Sequence, residues 1–226
     1  MTQYLVTGGA GFIGSNLADY LLSQGARVRV LDDFSTGRES NLAHLKDNAN
    51  FTLLYGDIND PDAVALAMEN CEVVFHQAAL GSVARSVDDP AKTNHSNVDG
   101  SISILDAARR AGVRRVVMAS SSSIYGDSEA LPKVETQPLA PVSPYAASKA
   151  AMELYAKAFT ACYEIEVVCL RYFNVYGPRQ DPKSLYAAVV PAFVSALLSG
   201  EAGTIYGDGQ QSRDFTYVGD VARANL

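Results

Sequence analysis

One turn constrains this chain more than any other feature in it. Tyr4-Leu-Val-Thr7 is an apolar run of strand length, and it passes at once into Gly8-Gly-Ala-Gly-Phe-Ile-Gly14. A helical pattern follows over residues 14–24, with Leu17, Leu21 and Leu22 on one face and Gly25 as its stop. Gly9, Gly11 and Gly14 satisfy G-x-G-x-x-G, and Gly8, Gly11 and Gly14 equally satisfy G-x-x-G-x-x-G. Missing side chains let a backbone turn tightly, approach a pyrophosphate closely and pack a helix on the preceding strand. The helix N-terminus then offers N–H groups and a partial positive charge to the phosphates. Between a strand and a helix, such a run predicts a dinucleotide site at Gly8, Gly11, Phe12, Ile13 and Gly14.

The rest of the chain repeats that alternation. Further strands are expected over residues 28–31, 51–55, 73–78, 115–120 and 167–172. Helical patterns separate them: one opens at Pro61, a long one spans 94–111, and another runs from an N-cap at Ser143, with Pro144 at its first position, to about Tyr163. Strands spaced by helices imply βαβ units and a doubly wound parallel sheet, an α/β fold of Rossmann-like type. After Gly177-Pro178 the pattern loosens into loops, a helix over 185–199 and the turn Gly207-Asp-Gly209. Residues 1–176 therefore read as a cofactor domain, and 177–226 as part of a smaller substrate-binding region.

Two carboxylates extend the cofactor site. Asp32 ends the second strand, 18 residues beyond Gly14, where a carboxylate accepts hydrogen bonds from adenosine ribose hydroxyls and repels a 2′-phosphate. That favours NAD, although Arg38 lies close enough in sequence to keep NADP as a minor option, and Asp32 or Asp33 can also simply start a turn. Asp57 and Ile58 close the third strand, where the sheet edge meets an adenine; an Asx turn at Asp57 is an equal reading.

Tyr145 and Lys149 stand at i and i+4, on one face of a helix near its start. Lys⁺ and the positive helix end both stabilise a phenolate, so the spacing predicts a lowered Tyr145 pKa and a general base. The Ser-rich strand end Ser120-Ser-Ser-Ser123 lies about 20 residues upstream, and strand C-termini line the ligand crevice of such sheets. His76, on a buried strand, reads as a core histidine, and His44 and His95 as surface positions.

Composition sets the outer bounds. The 226 residues carry 18 Lys+Arg and 25 Asp+Glu, a net charge of −7, which argues against nucleic acid or an anionic membrane as the main partner. With 48% hydrophobic and 19% charged residues, the chain reads as soluble and globular. No run of 18 apolar residues occurs, and the start lacks a signal peptide's basic and apolar regions. Cys71, Cys162 and Cys169 have no metal-type spacing, which points to reduced thiols, no metal site and a cytoplasmic protein.

Together, the Gly8–Gly14 turn, Asp32, Ser121 four residues before Tyr125-Gly126, and Tyr145-x-x-x-Lys149 resemble the extended short-chain dehydrogenase/reductases. Within them the chain is similar to the nucleotide-sugar 4-epimerases, through Arg171-Tyr-Phe-Asn-Val-Tyr-Gly-Pro178, Tyr186-Ala-Ala-Val-Val-Pro191 and Ser212-Arg-Asp-Phe-Thr-Tyr-Val218. The resemblance implies bound NAD, a UDP-sugar substrate and a transient 4-keto sugar. It implies Tyr145 as base, Lys149 as its modulator and ligand of the nicotinamide ribose, and Ser121 as hydroxyl partner. Ser122 and Ser123 would flank the sugar, Asn174 would touch the diphosphate, Arg213 would clamp it, and Asn97 would lie near the active site. Gly81-Ser-Val-Ala-Arg-Ser86 resembles the sugar-side loop of bacterial UDP-N-acetylglucosamine 4-epimerases, with Ala84 where Pro is more usual, which offers Ser82 and Arg85 as sugar contacts. A homodimer through the two long helices is implied as well. So are roughly 80 to 110 further residues of substrate domain beyond Leu226; NAD binding is expected of this chain as it stands, and its turnover is left open. Two other readings stay open: a dehydratase, decarboxylase or reductase on the same scaffold, and a non-catalytic dinucleotide-binding module. A 4,6-dehydratase needs acidic side chains where this sequence has Ser122 and Ser123.

Overall fold

Alternating residues of the first strand both point into apolar surroundings, Leu5 to one side and Val6 to the other, and neither is exposed at all. A strand buried on both faces belongs in the middle of a parallel sheet with helices on each side. The computed structural model, which describes residues 2–181, 189–205 and 207–226, has that arrangement. Strands β1 (Gln3–Thr7), β2 (Arg27–Asp32), β3 (Phe51–Tyr55), β4 (Val73–His76), β5 (Arg115–Ser121) and β6 (Glu166–Tyr172) form one sheet in the order β3-β2-β1-β4-β5-β6. All of its pairings are parallel. The order reverses between β1 and β4, so a crevice opens there at the strand C-termini.

Helix α1 (Phe12–Ser23) covers one face, packing Leu17 and Leu21 on Val6, Val30 and Phe75. Helices α2 (Pro61–Met68), α5 (Gly100–Arg110) and α6 (Pro144–Cys162) cover the other, where Val64, Ile104, Leu105 and Met152 meet Leu5, Val74 and Met118. Between β4 and α5 lie α3 (Val83–Asp88) and α4 (Pro90–Asn94). Beyond β6, a two-stranded parallel pair, β7 (Val175–Tyr176) and β8 (Thr216–Tyr217), accompanies α7 (Val189–Leu198) and α8 (Val218–Asn225). Ala222 of α8 returns to the core beside α1. No helix among the described residues is long and apolar enough to cross a membrane.

The helix expected over 94–111 starts earlier and is not uniform. Asp89 caps it, accepting from the Lys92 N–H at 2.9 Å, and Pro90 takes the first position, a stronger start than Asn94 offers. Residues His95–Asp99 then form a π turn before α5. The strand expected over 73–78 ends at His76, and α3 was too short to leave a period. Of the helix expected over 185–199, residues 185–188 lie outside the described residues, as does Tyr186, and the remainder is helical from Val189 to Leu198.

His76 is a core residue, with Nδ1 2.7 Å from Thr7 Oγ1 and Nε2 3.0 Å from Ser101 Oγ. Burial, with Lys149 nearby adding repulsion, pushes its pKa down to about 3. The unfolded chain takes up this proton near pH 6.5, so the contribution to stability is lost as pH falls from there toward 3. Between pH 7 and pH 4.5, the native chain should lose up to about 3 kcal/mol more than His76→Gln. Urea titrations at the two pH values measure this, and equal losses would show that His76 is not held neutral.

Candidate active site

A cavity of about 560 Å³ opens where the C-termini of the sheet's strands meet α1 and α6. Its floor is the turn after β1. Gly8 has φ +66, and a Cβ there would lie 2.6 Å from the Ala78 backbone. A Cβ on Gly14 would lie 2.3 Å from the Gly8 carbonyl oxygen. The turn is therefore closed to side chains, and no side chain caps α1, so Gly11, Phe12 and Ile13 line the cavity with an open helix start.

Asp32 stands at the end of β2, 6% exposed. Its Oδ2 accepts from the Ala10 N–H at 2.8 Å and its Oδ1 from the Phe34 N–H at 2.8 Å. Burial pushes its carboxyl up, against those two donors and with Asp33 adding to the rise. Asp32 thus organises the turn and also lines the cavity with lone pairs to spare. Arg38 is turned to Asp181 at 2.5 Å. Asp57 makes the Asx turn, its Oδ1 accepting from the Asn59 N–H at 2.8 Å, while it and Ile58 line the cavity.

On the opposite wall, Ser143 Oγ accepts from the Ala146 N–H at 3.1 Å and starts α6. Tyr145 and Lys149 then share one face, with Lys149 Nζ 5.9 Å from the Tyr145 ring centre. Nζ donates to the Ala119 carbonyl at 2.8 Å, and burial lowers the ammonium's pKa to about 8. Ser121, at the end of β5, hydrogen-bonds the Tyr145 side chain. Ser121 Oγ also accepts from the Ser123 N–H at 3.2 Å. Contrary to the expectation from spacing, the phenol's pKa is raised: removal from water outweighs the hydrogen bond from Ser121.

Other positions divide. Ser82 caps α3 through the Arg85 N–H at 3.1 Å and lines the cavity; Arg85 is exposed on α3 and does not line it. Ser122 and Ser123 lie in the turn after β5, outside the lining, and Ser123 Oγ is buried without a partner among the described residues. Asn174, at φ +28, lines both the cavity and an adjoining groove of about 770 Å³; its Nδ2 donates to the Asp214 carbonyl at 3.0 Å. Arg213 is exposed along that groove, donating to the Ser212 carbonyl at 2.7 Å. Among the described residues no ion pair joins it to Asp214. Asn97 is fully buried in the π turn, where it grips the Leu80 peptide by Oδ1 (2.8 Å) and Nδ2 (3.3 Å).

The sequence reading missed Gln77, Tyr172 and Gln180 on the lining. Gln77 and Tyr172 end or follow β4 and β6, so the rule that strand C-termini face the crevice would have found them. Gln180 sits on a segment that folds back over the cofactor side. Asn16 Nδ2 donates to the Pro178 carbonyl at 3.0 Å, Arg179 pairs with Asp19 at 2.7 Å, and Arg38 reaches Asp181.

Residues 4–226 match the family model described as the NAD dependent epimerase/dehydratase family. The chain is 47% identical, over 222 residues, to UDP-glucose 4-epimerase of Mycolicibacterium smegmatis, covering 97% of this chain and 71% of that one. A structure of UDP-N-acetylglucosamine 4-epimerase from Methanobrevibacter ruminantium, in complex with UDP-N-acetylmuramic acid, is similar with a TM-score of 0.95 at 44% identity, over 99% of this chain and 71% of its own. Thermotoga maritima UDP-glucose 4-epimerase with UDP-glucose gives 0.92 at 40% identity, over 99% and 72%.

Proposed function

The chain belongs to the NAD-dependent epimerase/dehydratase family, and we propose that it is a UDP-hexose 4-epimerase. It would interconvert the glucose and galactose forms, the N-acetylglucosamine and N-acetylgalactosamine forms, or both, through a 4-keto sugar. The 47% identity to a UDP-glucose 4-epimerase supports this. The observation that carries it is the meeting of Tyr145, Ser121 and Lys149 on one wall of the cavity whose floor is the glycine turn.

The cofactor is NAD, and the residues fit it: a floor without room for side chains at Gly8 and Gly14, and a carboxylate, Asp32, at the end of β2. Gly8, Gly11, Phe12, Ile13, Gly14, Asp32, Asp57 and Ile58 would hold it, with Lys149 toward the nicotinamide ribose. When bound, it supplies hydride acceptance and return at sugar C4. Tyr145 takes the proton of the C4 hydroxyl and gives it back, and Ser121 shares that proton through its hydrogen bond to the phenol. Lys149, charged for the most part at pH 7 with a pKa of about 8, stabilises the phenolate. Asn174 and Arg213 anchor the diphosphate, an Arg fork suiting two phosphate oxygens. Ser82 is assigned to the sugar side from its place on the cavity lining, Arg85, Ser122 and Ser123 from the family resemblance alone, and residues 177–226 to the substrate region. With serines at 122 and 123, no acid stands beside Ser121 to expel water, so dehydration is disfavoured.

A homodimer and a cytoplasmic location belong to the same reading. Leu154 and Tyr155 on α6 are 62% and 42% exposed, an apolar face suited to a second copy. Cys71, Cys162 and Cys169 are all free thiols, as a reducing compartment keeps them. Incubation with UDP-glucose and with UDP-N-acetylglucosamine, followed by chromatography, should yield the C4 epimer of at least one. A dehydrated or decarboxylated product in place of an epimer would overturn the assignment.

A further inference from the structure

The guanidinium of Arg171 holds both ends of the turn that carries Ser121. In the β5–β6 register Arg171 faces Ser120, and it makes a fork to Glu153 of α6, with Nη2 to Oε2 at 2.8 Å and Nε to Oε1 at 3.0 Å. Ser120 Oγ donates to that same Oε1 at 2.6 Å, which fixes the chain just before Ser121. The third nitrogen, Nη1, donates to Tyr125 Oη at 2.8 Å and to the Glu135 carbonyl at 3.2 Å, which fixes the chain just after it. Glu153 lies four residues beyond Lys149 on α6, and Lys149 grips the Ala119 carbonyl. The helix bearing Tyr145 and the strand end bearing Ser121 are thus pinned at two successive residues, 119 and 120. The ion pair is largely enclosed, with side-chain exposures of 16% and 13%. Such pairs are weak evidence of added stability, whereas the three-way geometry is demanding and only a planar fork can satisfy it.

We propose that Arg171, Glu153, Ser120 and Tyr125 form a positioning clamp that sets the Ser121 hydroxyl against Tyr145. This rests on the reading of Ser121 and Tyr145 as the proton-handling pair. Of the four, Ser120 lies on the cavity lining, whereas Tyr125, Glu153 and Arg171 lie outside it, so Tyr125→Phe tests the clamp without altering the cavity wall. The four act by keeping Ser121 in the geometry that proton sharing requires, where a displacement of about 1 Å can cost about 100-fold in rate.

Removing either ion-pair partner invites unfolding, so the test starts from Ser120→Ala, which deletes one hydrogen bond and leaves the pair intact. Its kcat for UDP-sugar epimerisation should fall about tenfold, with KM, retained NAD and thermal midpoint close to the parent's. Tyr125→Phe, cutting the other arm, should behave alike with a smaller loss. Arg171→Lys keeps the charge without the fork and should not rescue. In a Ser121→Ala background the Ser120→Ala penalty should vanish, because the clamp then has nothing to position. An unchanged kcat in Ser120→Ala, a parallel fall in kcat and thermal midpoint, or a penalty persisting without Ser121 would each overturn the clamp. Wild-type turnover in Tyr145→Phe and Ser121→Ala would instead overturn the underlying assignment.

Discussion

Tyr145→Phe should lower kcat about a thousandfold while leaving NAD retention and thermal midpoint near those of the parent chain. A positioned acid–base group contributes about 10²- to 10⁴-fold, and nothing on this wall can take its place. Ser121 carries a hydroxyl without basic character, and His76 is buried at the end of β4 with both ring nitrogens engaged at 2.7 and 3.0 Å. Lys149 already donates to the Ala119 carbonyl at 2.8 Å. Phe keeps the ring, so the packing under Lys149 survives, and the loss should appear in kcat with KM for the UDP-sugar within about twofold. Steady-state assays of both forms decide it: activity within tenfold of the parent would remove Tyr145 from the chemistry.

Gly14→Ala should abolish NAD retention through gel filtration and lower the thermal midpoint. Helix propensity alone favours Ala over Gly by about 1 kcal/mol. Here it is outweighed, because the new Cβ would meet the Gly8 oxygen at 2.3 Å, Gly9 Cα at 2.8 Å and the Gly8 carbonyl carbon at 2.9 Å. All three are backbone atoms that cannot swing away, so α1 must lift from β1 and the phosphate-facing turn must open; overpacking of this kind costs about 1–3 kcal/mol. Gly11→Ala, whose Cβ would lie 3.2 Å from the Gly8 oxygen, should be milder. Calorimetric NAD titration and thermal melts of both variants should reproduce that ranking; a Gly14→Ala protein with full NAD content would contradict the assignment of the turn.

The cofactor side was legible because its signals are local. The strand, the glycines and the helix start are contiguous, and Asp32 is placed by the length of one βα unit. Six strands could be read from apolar runs alone; the central β4 is buried on both faces, whereas β3 at the edge is apolar in sequence yet largely exposed. Quantities set by tertiary packing could not be read. The i, i+4 spacing shows that Lys149 neighbours Tyr145, but not that the phenol is withdrawn from water, so the direction of its pKa came out reversed. The clamp joins residues 120, 125, 153 and 171, which meet only once β5 pairs with β6 and α6 covers both. The π turn at His95–Asp99 leaves no mark in a periodicity, although the Asp89-Pro90 helix start could have been recognised from its residue types.

The segment that folds back over the cofactor side bears on how the molecule is assembled. Asn16 and Pro178 are 162 positions apart, Arg179 reaches the Asn41 carbonyl across 138, and Ala222 completes the packing around α1. Contacts of such sequence separation close the longest loops and carry the largest entropic cost before any return, so they form late. The surroundings of the first βα unit are therefore completed by contacts that form late. Gln180 lines the same cavity as the glycine turn, so the long-range contacts help to enclose that turn. The wall on that side of the cofactor cavity is thus built from the chain's longest-range contacts, so a substitution that weakens them should loosen the cavity before it loosens the sheet.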